Sequence, residues 1–151
     1  MDIYALSEKA EFIANKRQCL LKQGRQYCNT LTQGIVLSKA KLYQIISFSP
    51  DDGLRFCLFD HFVIHICLSN VFNSHTIEYF LEELDESNKI LITSANIDEK
   101  GLIDEIIDNR NREQVLKHYL SLLHLVYDGL YQAINENTPV SLSLFQQPAI
   151  V

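Results

Sequence analysis

The chain has 151 residues, 47% of them hydrophobic and 21% charged, with a net charge of −6. That length suits one domain burying roughly 68–70% of its unfolded surface, and the composition excludes a largely disordered chain. No apolar run approaches the ~20 residues of a membrane span, and residues 1–9 lack the basic and apolar regions of a secretory signal, so a cytoplasmic chain is expected.

Ala10, Ile13, Ala14, Leu20, Leu21, Tyr27, Cys28 and Leu31 recur at three- and four-residue spacings and predict a helix over 7–32, stopped at Gly34. Such a helix would be about 39 Å long, more than a domain of this size needs to cover its sheet, so part of it is expected to support a homodimer. Arg17 and Gly24 interrupt the seam and argue against a strict coiled coil.

From 41 to 108 the pattern changes to short β-rich runs at 41–48, 54–59, 62–69, 74–84, 89–97 and 102–107. Turn residues separate them at Ser49-Pro50-Asp51-Asp52-Gly53, Asp85-Glu86-Ser87-Asn88 and Asp98-Glu99-Lys100-Gly101. Connections this short require antiparallel pairing. Leu54, Phe56, Leu58, Phe62, Ile64, Ile66 and Leu68 share one parity and mark a core face. In 74–84, His75, Ile77, Tyr79 and Leu81 are read as inward, and Thr76, Glu78 and Glu82 as outward.

A second helix is predicted over 112–135, with Asn111 as N-cap, Gln114 three residues on, and Pro139 beyond its end. Its expected core stripe is Leu116, Tyr119, Leu120, Leu123, Val126, Tyr127, Leu130 and Ile134. The fold class is α+β within a single domain, 1–151. It comprises a long N-terminal helix, an antiparallel β-sheet meander of about five to six strands, a C-terminal helix packed on the sheet, and a tail over 139–151.

Few residue patterns point to chemistry. Ser74 and His75 are neighbours on an extended segment and face opposite sides, so the pair cannot act as nucleophile and base. Cys57, His61, His65 and Cys67 share parity, but four residues of strand separate the two histidines by about 13 Å, too far for one zinc ion. His124 and Asp128, one helical turn apart, read as a solvated pair. The four cysteines are expected as reduced thiols. No catalytic, cofactor or metal residues are therefore assigned, and no enzyme is expected.

Surfaces are more informative. From Lys9 to Lys41 seven basic residues face one acidic residue, whereas from Glu78 to Asp108 ten acidic residues face two basic ones. Glu78, Glu82, Glu83, Asp85 and Glu86 form an expected acidic edge for a basic partner, and direct DNA binding is not expected. Val115, His118, Leu122, Leu125 and Gly129 make a second, weaker stripe on the C-terminal helix. Leu122 and Leu125 there are candidate partner contacts unless the segment 140–145 covers them.

Three blocks carry a resemblance. They are Tyr27-Cys28-Asn29-Thr30-Leu31-Thr32-Gln33-Gly34 continuing to Leu42, Phe72-Asn73-Ser74-His75-Thr76-Ile77-Glu78-Tyr79-Phe80, and Arg112-Glu113-Gln114-Val115-Leu116-Lys117-His118-Tyr119-Leu120. With them the chain resembles, essentially end to end, the formate hydrogenlyase regulatory protein family (HycA family) of enteric bacteria. The resemblance implies a cytoplasmic negative regulator that opposes the formate-responsive transcriptional activator by protein contact, with no catalytic residue to carry over. Two other readings remain open. One is an assembly factor or chaperone-like protein for the hydrogenlyase system. The other is a formate sensor or enzyme with a pocket over the sheet, using His61, His65 or Tyr43.

Overall fold

A computed structural model describes residues 1–47, 53–69, 71–85 and 88–145. Residues 49–52 of the expected turn Ser49-Pro50-Asp51-Asp52-Gly53, the centre of that at Asp85-Glu86-Ser87-Asn88, and the end of the tail lie outside the described residues. Helix α1 (Ile3–Leu37) leads into strands β1 (Gln44–Ser47), β2 (Leu54–Leu58), β3 (Phe62–Leu68), β4 (Thr76–Glu83) and β5 (Lys89–Asn96). Strands β6 (Leu102–Ile103) and β7 (Ile107–Asp108), helix α2 (Arg112–Asn135) and a 3-10 turn (Leu142–Phe145) follow.

The main sheet runs in chain order, β1-β2-β3-β4-β5, with every neighbouring pair antiparallel, so the expected α+β meander stands. The run expected as one strand over 102–107 is instead the two-stranded unit β6-β7. Asp104 and Glu105 adopt φ of 50° and 66° and reverse the chain between them.

Helix α1 is longer than its periodicity suggested. Asp2 caps its start, the side chain accepting from the Tyr4 amide at 2.9 Å. Gly34 does not stop it. That residue lies buried within the helix and faces α2, where an added Cβ would meet Leu116 Cβ at 3.4 Å, an ordinary contact.

Helix α2 keeps its expected span, and the Asn111 side chain accepts from the Gln114 amide at 3.1 Å. Its buried stripe is rotated, however, to Val115, Tyr119, Leu123, Val126, Leu130 and Ala133, leaving Ile134 69% exposed. Both flanks of this helix are apolar, so periodicity alone could not choose the inward direction. Among the described residues no helix is long and apolar enough to cross a membrane.

The shared-parity face of β2 and β3 is core as expected: Leu54 opposes Ile66, Phe56 opposes Ile64, Leu58 opposes Phe62, and all six are buried. Three fully buried tyrosines join the layers on this side: Tyr27 of α1, Tyr79 of β4 and Tyr119 of α2. The Tyr27 and Tyr79 hydroxyls lie 2.6 Å apart. Tyr119 donates to Gln44 Oε1 at 2.8 Å, Gln44 Nε2 donates to the Tyr127 hydroxyl at 2.7 Å, and Tyr127 donates to the Leu42 carbonyl at 2.9 Å.

Burial pushes the hydroxyls of Tyr27, Tyr79 and Tyr119 above the usual tyrosine range. The unfolded chain releases these protons near pH 10 while the folded chain holds them, so stability persists below that pH and falls above it. Each tyrosine adds a slope of about 1.4 kcal/mol per pH unit. Urea midpoints are expected to stay level from about pH 7 to about pH 9 and to drop above about pH 10, less steeply in Tyr79→Phe. At neutral pH, Tyr79→Phe should cost about 1–3 kcal/mol by stranding the Tyr27 hydroxyl, and adding Tyr27→Phe should recover most of it.

Candidate interaction surfaces

The acidic residues expected on one outward edge do not share a surface. β4 is an interior strand, between β3 and β5. Glu82 is not solvent-facing: Arg55 Nη1 lies 2.8 Å from its Oε2 and His65 Nδ1 3.5 Å, with the Arg55 and Glu82 side chains only 11% and 6% exposed. The alternation placed Glu82 correctly away from Leu81, but Arg55 and His65 share that face, and the Arg55 guanidinium supplies its counter-charge. Glu83 falls on the other face, opposite Phe62, and Glu78 is half-buried opposite Cys67 and Ser94. Asp85 is exposed, and Glu86 lies outside the described residues. The two charge-biased halves also meet within the chain, Lys16 Nζ lying 2.6 Å from Glu99 Oε2.

The outer stripe of α2 divides in the same way. Val115 is fully buried, His118 Nε2 lies 2.9 Å from Asp104 Oδ2, and Leu122 packs half-buried on the core. Phe145 of the terminal turn covers Gly129, where an added Cβ would lie 2.8 Å from its Cε1, so the tail covers this end of the stripe. Leu125 remains 57% exposed beside a groove of about 380 Å³ that also involves Ile92, Leu144 and Phe145.

A larger groove, of about 690 Å³, lies along the other flank of α2 and is lined by Phe59, Phe62, Tyr127, Tyr131 and Ile134. Its rim is strained. Phe59 and Tyr43 hold φ of 51° and 58°, left-handed values that bulky side chains rarely adopt. Their rings stack with centroids 5.7 Å apart, and Phe59 meets Tyr127 edge-on at 5.9 Å. Such strain costs on the order of 1–3 kcal/mol per residue and clusters at functional positions. The groove is not legible in the periodicity, which assigns Ile134 to the core and marks no surface around Phe59. The available signal was Tyr127, Tyr131 and Ile134 at helical spacing beside an aromatic turn.

Comparison with known proteins bears on these surfaces. Residues 1–146 match the family model HycA_repressor, described as a transcriptional repressor of hyc and hyp operons. The formate hydrogenlyase regulatory protein HycA of Escherichia coli K12 is 49% identical over 143 residues, covering 95% of this chain and 94% of the relative. Its counterparts in Escherichia coli O157:H7 and Shigella flexneri match to the same extent. The chain belongs to the HycA family. No solved structure gives a significant match.

In this HycA-family chain the groups considered for chemistry are drawn into structural roles. Ser74 Oγ accepts from the Thr76 amide at 3.2 Å. His124 Nδ1 donates to the Ser121 carbonyl at 2.7 Å, instead of pairing with Asp128. None of the four cysteines forms a disulfide, and burial, reinforced by neighbouring Cys67, pushes the Cys28 thiol up to about 11, so it stays protonated at neutral pH. His65 faces Arg55 and Glu82, whereas His61 lines the aromatic groove and Tyr43 stacks on its rim. His61 and Tyr43 therefore share the aromatic groove, and His65 lies apart from them. Among the described residues no group of three or more His, Cys, Asp or Glu could hold a metal ion.

Glu82→Ala should cost about 3–5 kcal/mol, because it breaks a nearly buried ion pair by removing one partner. Arg55→Met combined with Glu82→Leu should restore most of that stability. Urea denaturation of the single and double variants measures both outcomes.

Proposed function

We propose that this chain is a non-enzymatic negative regulator of formate hydrogenlyase expression, acting in the cytoplasm by protein contact on the formate-responsive transcriptional activator. The family description and the names of the relatives support the repressor role. The observation that carries the contact mode is the open aromatic groove of Phe59, Tyr127, Tyr131 and Ile134, with Tyr131 73% exposed. Tyrosine-rich, partly desolvated grooves concentrate binding energy at protein interfaces.

The basic residues of α1 support protein rather than DNA as the target. Lys16 is paired with Glu99, and the Arg17 guanidinium lies 5.3 Å from the Phe72 ring centroid, so neither stands in an open row for phosphates. Leu125 on the other flank of α2, Glu78 and Glu83 on β4, the neighbouring Asp85, and Glu86 are the competing contact sites. An assembly-factor role would use the same kind of surface on a hydrogenlyase subunit, and co-purification distinguishes it.

The test pairs a formate hydrogenlyase promoter reporter with capture of the purified activator. Tyr131→Asp with Ile134→Asp should abolish both repression and capture while shifting folding stability by less than about 0.5 kcal/mol, as surface changes do. Asp85→Lys and Leu125→Asp should leave both intact. Normal repression by the groove variant would overturn the groove assignment. Repression that persists in cells lacking the activator would overturn the contact mechanism.

A further inference from the structure

The aromatic groove along α2 is apolar inside and acidic at its lips. Tyr127, Tyr131 and Ile134, at steps of four and three residues, form a ridge about 10 Å long on the helix bank, with Phe59 and Phe62 across the trough. Asp128 lines the helix bank, and Asp60 stands exposed between the lining residues Phe59 and His61 on the other. Neither carboxylate has an ion-pair or hydrogen-bond partner among the described residues, and no described lysine or arginine lines the groove.

We propose that the groove takes a basic amphipathic helix of a partner protein, its apolar side chains seated between the banks and its lysines or arginines against Asp60 and Asp128. The proposal rests on the groove reading above and adds the chemistry of the segment that fills it. Charge selects a cationic occupant. Ile134 lies in the last turn of α2, which holds no basic residue, so the partial negative charge of the helix C-terminus adds to that of the two carboxylates. The Tyr131 and Phe59 rings, 73% and 44% exposed, present faces that also attract cations. An uncharged or acidic segment would crowd both carboxylates without compensating them.

Backbone chemistry selects a helix. Phe62 belongs to β3, which is paired on both sides, and the amide of Phe59 already donates to the Tyr43 carbonyl at 3.2 Å. The trough therefore offers no strand edge to an extended peptide, whereas a helix satisfies its own backbone and meets the α2 ridge with apolar residues at matching steps. The basic half of α1 in a second copy does not qualify, because its apolar stripe of Leu20, Gly24, Tyr27 and Leu31 is already buried against its own chain.

The probes are two fluorescent model helices of about 18 residues, with leucines at three- and four-residue steps and all other positions lysine in one and glutamate in the other. At about pH 8, where histidine is neutral and lysine charged, anisotropy should show the lysine helix binding at least about tenfold more tightly than the glutamate helix. Asp60→Asn with Asp128→Asn should weaken the lysine helix about tenfold, whereas Glu8→Gln with Glu11→Gln, removing the same charge from α1, should leave its binding unchanged. Tyr131→Ala with Ile134→Ala should weaken it as well, and because all these residues are exposed the thermal midpoints should not move. Equal binding of the two helices, binding of neither, an equal loss in both charge pairs, or binding that survives loss of Tyr131 and Ile134 would each overturn the proposal. No activator enters this assay, so its failure is separate from a failure of the repression test.

Discussion

Three tyrosine hydroxyls buried where the helices meet the sheet set the terms for the rest of the molecule. A buried hydroxyl without a partner is costly, so the ring positions of Tyr27, Tyr79 and Tyr119 cannot shift independently. Tyr27 and Tyr79 satisfy one another and thereby hold α1 to β4. Tyr119 reaches Gln44, which reaches Tyr127 and through it the Leu42 carbonyl, fastening β1 to α2. The packing of both helices is therefore specified by polar geometry as well as by apolar area.

This fastening shapes the surfaces on either side of α2. With Val115 and Tyr119 turned inward, Tyr131 and Ile134 are left on an open flank, and Tyr127 spans the boundary with its hydroxyl bonded and its ring lining the groove. On the opposite flank Phe145 closes over Gly129 and leaves Leu125 outside. One helix thus presents a covered flank and an uncovered one. That asymmetry leaves the aromatic side chains of one flank open to solvent.

The reverse face of the sheet is organised by charge. Arg55, His65 and Glu82 come from three adjacent strands and lie together in a nearly buried cluster. The Arg55–Glu82 pair spans β2 and β4 across the intervening β3, where Arg55 lies opposite His65 and Glu82 opposite Val63. With Glu82 paired with Arg55 and Glu99 with Lys16, part of the acidic excess is compensated internally. The long-range charge asymmetry of the chain is consequently weaker at the surface than along the sequence.

Periodicity and parity by themselves determined the element order, the antiparallel meander, the start of α2 at its Asn111 cap, and the core face of β2 and β3. Each of these depends on local spacing, which a linear pattern records directly. Family membership was legible too, because long blocks of the chain carry the resemblance. The depth of Glu82, the rotation of α2, and the continuation of α1 through Gly34 against α2 were decided only by the tertiary structure. So were the strained aromatic groove and the partial closure of the stripe by Phe145. In every such case the deciding neighbour lies far away in sequence, Arg55 for Glu82, Leu116 for Gly34 and Phe59 for Tyr127. Alternation could say which side of a strand a residue occupies, but only the assembled fold says what else occupies that side.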